Sequence, residues 1–206
     1  DGSWQIFVPD AVARSQRRVT RSASNRHPAW SPRGDEIVFT RSDAGRSELV
    51  VLHAFHASER VLASSSDSPF LFPHWSPDGT QISFTRQTGQ KFELCSITAD
   101  GGSVRPLLPP EMAARDVWPR WSPDGRRIAF FSRRGDHTED DEIYLLDVQS
   151  REVARVTSRR GHDFCPSWSP DGRRLVVALV DPSSGPALAI IRLDGTVERQ
   201  FARGFA

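Results

Sequence analysis

One five-residue pattern constrains this chain more than any bulk property does. It reads Pro28-Ala29-Trp30-Ser31-Pro32, Pro73-His74-Trp75-Ser76-Pro77, Pro119-Arg120-Trp121-Ser122-Pro123 and Pro166-Ser167-Trp168-Ser169-Pro170. The tryptophans at 30, 75, 121 and 168 are therefore 45, 46 and 47 residues apart. A period of that length belongs to units of four strands, since two-helix repeats recur every ~33 or 34 residues.

The residues after each tryptophan specify strands. Three copies run on through Asp78-Gly79, Asp124-Gly125 and Asp171-Gly172, whereas the first has Arg33-Gly34. Proline holds φ near about −65° and glycine admits positive φ, so Ser-Pro-Asp-Gly is a tight hairpin turn. A second strand then reads Ile37-Val38-Phe39, Ile82-Ser83-Phe84, Ile128-Ala129-Phe130 and Leu175-Val176-Val177, each ending nine positions after its tryptophan. Two further strands fit each period: Leu49 to Leu52 and Arg60 to Leu62, Phe92 to Ile97 and Val104 to Leu107, Ile143 to Leu146 and Val153 to Val156, and Leu188 to Ile191 and Val197 to Phe201. The motif proline lies in the first strand of each unit. Because proline lacks an N–H, that strand is expected at a free edge facing a central channel. The tryptophan two residues on points to the same face and is expected to fill the gap between adjacent units.

The expected fold is all-β, a β-propeller of four-stranded antiparallel blades. Residues 1–206 form one array, with a half-blade at 1–22 and blades at about 23–66, 67–112, 113–158 and 159–206. The half-blade has room for an outer pair only, at Gln5 to Val8 and Arg17 to Thr20. Propellers avoid open sheet edges by closing. About four and a half blades therefore imply an incomplete ring, cut from a longer chain or closed by a second copy, and a homo-oligomer is one expected route to closure.

The full unit Pro-x-Trp-Ser-Pro-Asp-Gly-x-x-Ile-x-Phe, as it stands at Pro73 to Phe84 and Pro119 to Phe130, resembles the PD40 repeat of TolB-like propellers, and the resemblance extends over essentially the whole chain. It implies a fold and leaves function open. Such repeats occur in the periplasmic TolB protein of the Tol-Pal system, in propeller domains of prolyl oligopeptidase-type serine peptidases, in sensor regions of bacterial regulators and in surface proteins. The resemblance favours a periplasmic or secreted setting. A complete TolB would add an N-terminal α/β domain and six blades, so the likeness is to the domain. Arg33 and Val177, where the other copies carry Asp and Phe, read as repeat drift.

Charge and motif content exclude several function classes. Lys and Arg number 27 against 26 Asp and Glu, a net charge of +1 that gives no field for nucleic acid. No apolar run of about 18 residues exists to span a bilayer. Cys95 and Cys165 fall in non-adjacent blades, out of disulfide reach, and are expected to be thiols. The chain lacks a Gly-x-Ser-x-Gly elbow, a glycine-rich phosphate loop, His-Glu-x-x-His and Cys-x-x-Cys. Neither a catalytic residue nor a metal or cofactor is therefore assigned.

Candidate binding residues remain. Asp78, Asp124 and Asp171 recur once per blade, and local backbone hydrogen bonding in the turn accounts for them. Gly135 to Glu142 is rich in acids but lacks EF-hand spacing and reads as a solvated loop. His27, His74 and His162 fall near one end of the channel. That end, built from the loops that join successive blades and those between the second and third strands of a blade, collects Arg26, His27, Arg41, Arg86, Arg115, Asp116, Arg133, Arg160, His162 and Asp163. Phe72 and Trp118 stand beside them, and arginine with aromatics is what protein interfaces favour. The expected function is a non-enzymatic scaffold binding a protein or peptide, with acidic character suggested by the arginines. The alternatives are the gating propeller of a serine peptidase and a propeller binding a carbohydrate or other small ligand.

Overall fold

The computed structural model describes residues 3–201, apart from 11, 57, 113, 135–139 and 184. Eighteen strands form five antiparallel sheets, and a single turn of 3-10 helix at Pro110–Met112 is the sole helical element among the described residues. The first sheet pairs β1 (Phe7–Asp10) with β2 (Ser15–Arg18). Blade 1 follows, with β3 (Ser24–Trp30), β4 (Glu36–Asp43), β5 (Arg46–His53) and β6 (Glu59–Ser65). Blade 2 holds β7 (Phe70–Trp75), β8 (Gln81–Thr88), β9 (Lys91–Thr98) and β10 (Arg105–Pro106). Blade 3 holds β11 (Val117–Trp121), β12 (Arg127–Ser132), β13 (Glu142–Asp147) and β14 (Val153–Arg155). Blade 4 holds β15 (His162–Trp168), β16 (Arg174–Asp181), β17 (Gly185–Arg192) and β18 (Val197–Phe201).

Within each blade the strands pair in sequence order, and the first strands of neighbouring blades lie beside one another, β3 with β7, β7 with β11 and β11 with β15. They form the inner wall. Among the described residues no strand pairs the β1–β2 sheet with blade 4, so the arc is open. The leading pair sits slightly off the expected positions, although its ladder runs on through the Val19 N–H to the Ile6 carbonyl.

The repeated turn has a common wiring. Ser76 donates its hydroxyl to Asp78 at 2.6 Å and accepts the Gln81 N–H at 2.9 Å, while Asp78 also accepts the Thr80 N–H. Ser122 with Asp124 and Ser169 with Asp171 repeat it. In the first copy Asp35 takes over, accepting from Ser31 at 2.8 Å. The aspartate missing at 33 is thus replaced two residues later. The glycine that follows is left-handed in all four copies, with φ between 67° and 74° at Gly34, Gly79, Gly125 and Gly172. At Gly125 an added Cβ would lie 3.3 Å from Pro77 of the preceding blade, so the turns of adjacent blades stack.

The core lies between blades. Val38, Leu49 and Val51 of blade 1 pack on Trp75, Ile82 and Phe84 of blade 2, while Ile37, Phe39 and Leu52 turn the other way onto Ile6 and the leading sheet. Blades 2 and 3 meet through Leu94, Trp121, Ile128 and Phe130, and blades 3 and 4 through Ile143, Leu145, Leu175 and Val177. Middle strands are therefore buried on both faces, and consecutive residues at Ile37 to Phe39, Ile82 to Phe84 and Ile128 to Phe130 are all enclosed rather than alternating. Burying each large side chain contributes about 1.5–3 kcal/mol.

Trp75 and Trp121 close the gaps between blades, at 4% and 6% exposure. Trp30 departs from that expectation and is 46% exposed. The unit before blade 1 consists of two outer strands, with no inner strand to cover the indole. Cys95 on β9 and Cys165 on β15 are both unpaired thiols. No helix among the described residues is long and apolar enough to cross a membrane.

Candidate functional site

Every inner strand carries a bulge at its motif proline. Pairing jumps from Arg26 to Ala29, from Leu71 to His74, from Val117 to Arg120 and from Phe164 to Ser167, so two residues oppose one. The proline falls where the ladder is already interrupted, and its missing N–H therefore costs no strand hydrogen bond. This is a second reason for its tolerance, besides the free edge expected from sequence. Pairing resumes upstream of the bulge, and segments expected as loops become strand.

The residue before each proline is left-handed: His27 at φ 54°, Phe72 at 53°, Trp118 at 65° and Cys165 at 54°. Such a conformation in a non-glycine residue costs on the order of 1–3 kcal/mol and persists only where surrounding contacts enforce it. Here it brings side chains of successive blades together. His27 meets Phe72 with ring centroids 4.2 Å apart, and Phe72 meets Trp118 at 4.3 Å. The Arg120 guanidinium then lies 4.9 Å from the Trp118 ring. A ladder of rings ending in a cation runs along the inner wall.

The x position of Pro-x-Trp forms the adjoining layer, with Ala29, His74, Arg120 and Ser167 on successive blades. A depression of about 290 Å³ opens there, lined by His74 and Arg120 and by Trp30, Trp75, Trp121 and Trp168. Trp168 donates its indole N–H to the Arg120 carbonyl at 2.9 Å. The Arg120 guanidinium reaches only the Pro119 carbonyl, at 3.0 Å, and forms no ion pair with a described residue. Burial lowers its pKa to about 10. Burial, followed by the charges of Arg26 and Arg120, lowers His27 to about 4; burial and Arg120 lower His74 to about 3. Both imidazoles are therefore neutral near pH 7, and Arg120 supplies the charge beside this depression.

The residues expected at the channel end divide differently. Arg26, His27, Arg41, Arg86, His162 and Asp163 lie within strands rather than loops, because pairing resumes beyond each bulge and the hairpin arms are long; Arg115, Asp116, Arg133 and Arg160 lie between strands. Most are neutralised locally. Arg41 pairs with Glu59 at 2.6 Å, Arg86 with Glu93 at 2.9 Å, and Asp163 with Arg159 at 2.7 Å. Asp116 is buried and held by Arg134 at 2.5 Å, with burial raising its pKa against that pairing. Asp141 gathers Arg115, Arg133 and His162 at 2.7, 3.0 and 3.1 Å. His162 is thereby separated in role from His27 and His74 in the inner wall. Arg26 lies over Trp4, and Arg160 is exposed without an ion pair to a described residue. Of the acidic segment, residues 135–139 lie outside the described residues.

Sequence reasoning passed over Arg120, and a signal for it was present. The x of Pro-x-Trp-Ser-Pro is the one motif position that changes from copy to copy.

Four-stranded antiparallel blades, an inner wall of motif strands and the Ser-Pro-Asp-Gly belt define an open β-propeller array. Residues 111–206 match the family model described as the TolB beta propeller domain. TolB from Acinetobacter baumannii superposes with a TM-score of 0.74 at 20% identity, over 94% of this chain and 58% of that one. The putative TolB from Agrobacterium tumefaciens gives 0.63 at 21% identity, over 94% and 87%. Puromycin hydrolase gives 0.68 at 17% identity, over 93% and 31%. The chain thus spans little more than half of the Acinetobacter protein, and likenesses at these identities establish the fold. No curated protein sequence matches the chain significantly.

Proposed function

We propose that this chain is a non-enzymatic propeller scaffold that binds a protein or peptide along its inner wall. The observation that carries this reading is the ladder of His27, Phe72 and Trp118, three side chains held in a costly left-handed conformation at equivalent places. The half-buried rings of three successive blades meet in one row that ends at the Arg120 guanidinium, and this row supports the reading of a binding surface. Aromatic side chains with arginine are also what anchors protein interfaces. Arg26 and Arg160, without ion pairs to described residues, are proposed as rim contacts, and the array is proposed to run as one unit over residues 1–206.

Panning a random peptide library on the purified chain tests the reading. Peptides that bind the native chain and lose about tenfold or more in affinity with Trp118→Ala are expected. Ligands unaffected by Phe72→Ala and Trp118→Ala alike would refute it.

A second reading, the gating propeller of a serine peptidase, is favoured by the likeness to puromycin hydrolase. A native reading frame that continues into a Gly-x-Ser-x-Gly hydrolase segment would select it.

A further inference from the structure

The inner wall holds a half-buried charge that no described carboxylate balances. Every other half-buried arginine among the described residues pairs with Asp or Glu, as Arg41, Arg86, Arg115, Arg134, Arg155 and Arg159 do. Arg120 is more enclosed than most of them, yet it is satisfied only by its neighbour's carbonyl and the face of Trp118. A buried guanidinium without a counter-ion is costly, and proteins retain one where something else supplies the negative charge. The surroundings are set for it: both nearby imidazoles are neutral near pH 7, and the depression beside Arg120 is lined by four indoles.

We infer that Arg120 is a carboxylate receptor, the point at which an acidic side chain or a free C-terminal carboxylate of a bound peptide enters the channel. This rests on the reading of the inner wall as a binding surface and specifies what that surface takes. The planar guanidinium offers parallel N–H donors that match a carboxylate, and stacking on Trp118 fixes the plane of the fork. A carboxylate fits the space of about 290 Å³ together with the residue that bears it. The x position then carries specificity: where the other blades place alanine, histidine or serine, blade 3 places the cation.

The test uses three small probes followed by tryptophan fluorescence. N-acetylglycine presents a terminal carboxylate, N-acetylglutamic acid α-amide presents a side-chain carboxylate, and N-acetylglycinamide is the neutral control. Saturable binding of one or both acids is expected, weakening with added salt, with the neutral amide silent. Which acid binds identifies the source of the carboxylate. Arg120→Gln is expected to weaken binding tenfold or more, and Arg120→Lys to retain part of it. If Arg120→Gln does not fold, the acid-against-amide contrast in the native chain and the Arg120→Lys titration decide. Equal response to acid and amide, no response to either acid, or undiminished binding by a folded Arg120→Gln variant would overturn the inference. Library peptides lost with Trp118→Ala but devoid of acidic groups and indifferent to Arg120→Gln would overturn it while leaving the binding surface intact. Failure to select any peptide sensitive to Trp118 would remove the binding surface itself.

Discussion

The rings of Phe72 and Trp118 stand 4.3 Å apart, centroid to centroid, although they belong to different blades. Each precedes a motif proline, and each sits in the left-handed region that side chains avoid. The contact and the strain have one origin: the bulge that accommodates the proline swings the preceding side chain out of the pleat and toward the next blade.

The strain should be measurable by replacement. Glycine adopts positive φ without the penalty that alanine carries. Phe72→Gly is therefore expected to be about 1 kcal/mol more stable than Phe72→Ala. That reverses the usual order within a strand. Urea denaturation of the two variants reads it directly.

The two neutral imidazoles predict how stability depends on pH. His27 and His74 have folded pKa values lowered to about 4 and about 3, below that of an unfolded histidine. Their contribution is whole above about pH 6.5 and is lost as pH falls toward the folded values, because only the unfolded chain takes up the protons. Each adds a slope of about 1.4 kcal/mol per pH unit between about 6 and 4. His74→Leu is expected to remove close to half of that slope in urea midpoints taken across this window.

The tryptophans predict contrasting costs. Trp121→Ala opens the gap between blades 2 and 3 and is expected to destabilise by about 3–5 kcal/mol. Trp30, half exposed beside the two-stranded leading sheet, should cost less than about half as much. Equal losses in thermal or urea unfolding would show that Trp30 is covered in solution.

Asp35 and Arg33 predict a rescue. Asp35→Ala should lower the melting temperature by removing the acceptor of the Ser31 hydroxyl. Adding Arg33→Asp restores the residue that the other three turns use and should recover the loss. Absence of recovery would place the role of Asp35 outside the turn.

Asp116 and Arg134 predict the effect of stranding a buried charge. Arg134→Met leaves the Asp116 carboxylate enclosed without its partner, at a cost of about 3 kcal/mol or more near neutral pH. The deficit relative to the native chain should shrink as the pH is lowered toward 5. A protonated Asp116 needs no counter-ion.

Much of the architecture was legible because it is written locally and repeatedly. Pro73 to Phe84 contains a strand end, a turn whose Ser76 and Asp78 wire each other, and the start of a doubly buried strand. All of these follow from φ preference, hydrogen-bonding groups and apolar run length. The site was less legible. Arg120 stands at the variable motif position, but that it lacks the carboxylate that Arg41, Arg86 and Arg115 each have is decided by neighbours in space. Phe72 and Trp118 stood out as aromatics, but their mutual contact depends on the stagger between blades.

The Pro-x-Trp-Ser-Pro period, by itself, determined the blade, its strand order and the wiring of three of the four turns, because each depends on residues close together in the chain. Tertiary structure alone decided that Asp35 substitutes for Asp in the first turn, that the proline sits in a bulge rather than merely at an edge, and that Trp30 is uncovered. It also decided which half-buried arginine is left without a described carboxylate. Charge balance is a sum over groups brought together from distant blades, and no single repeat contains that information.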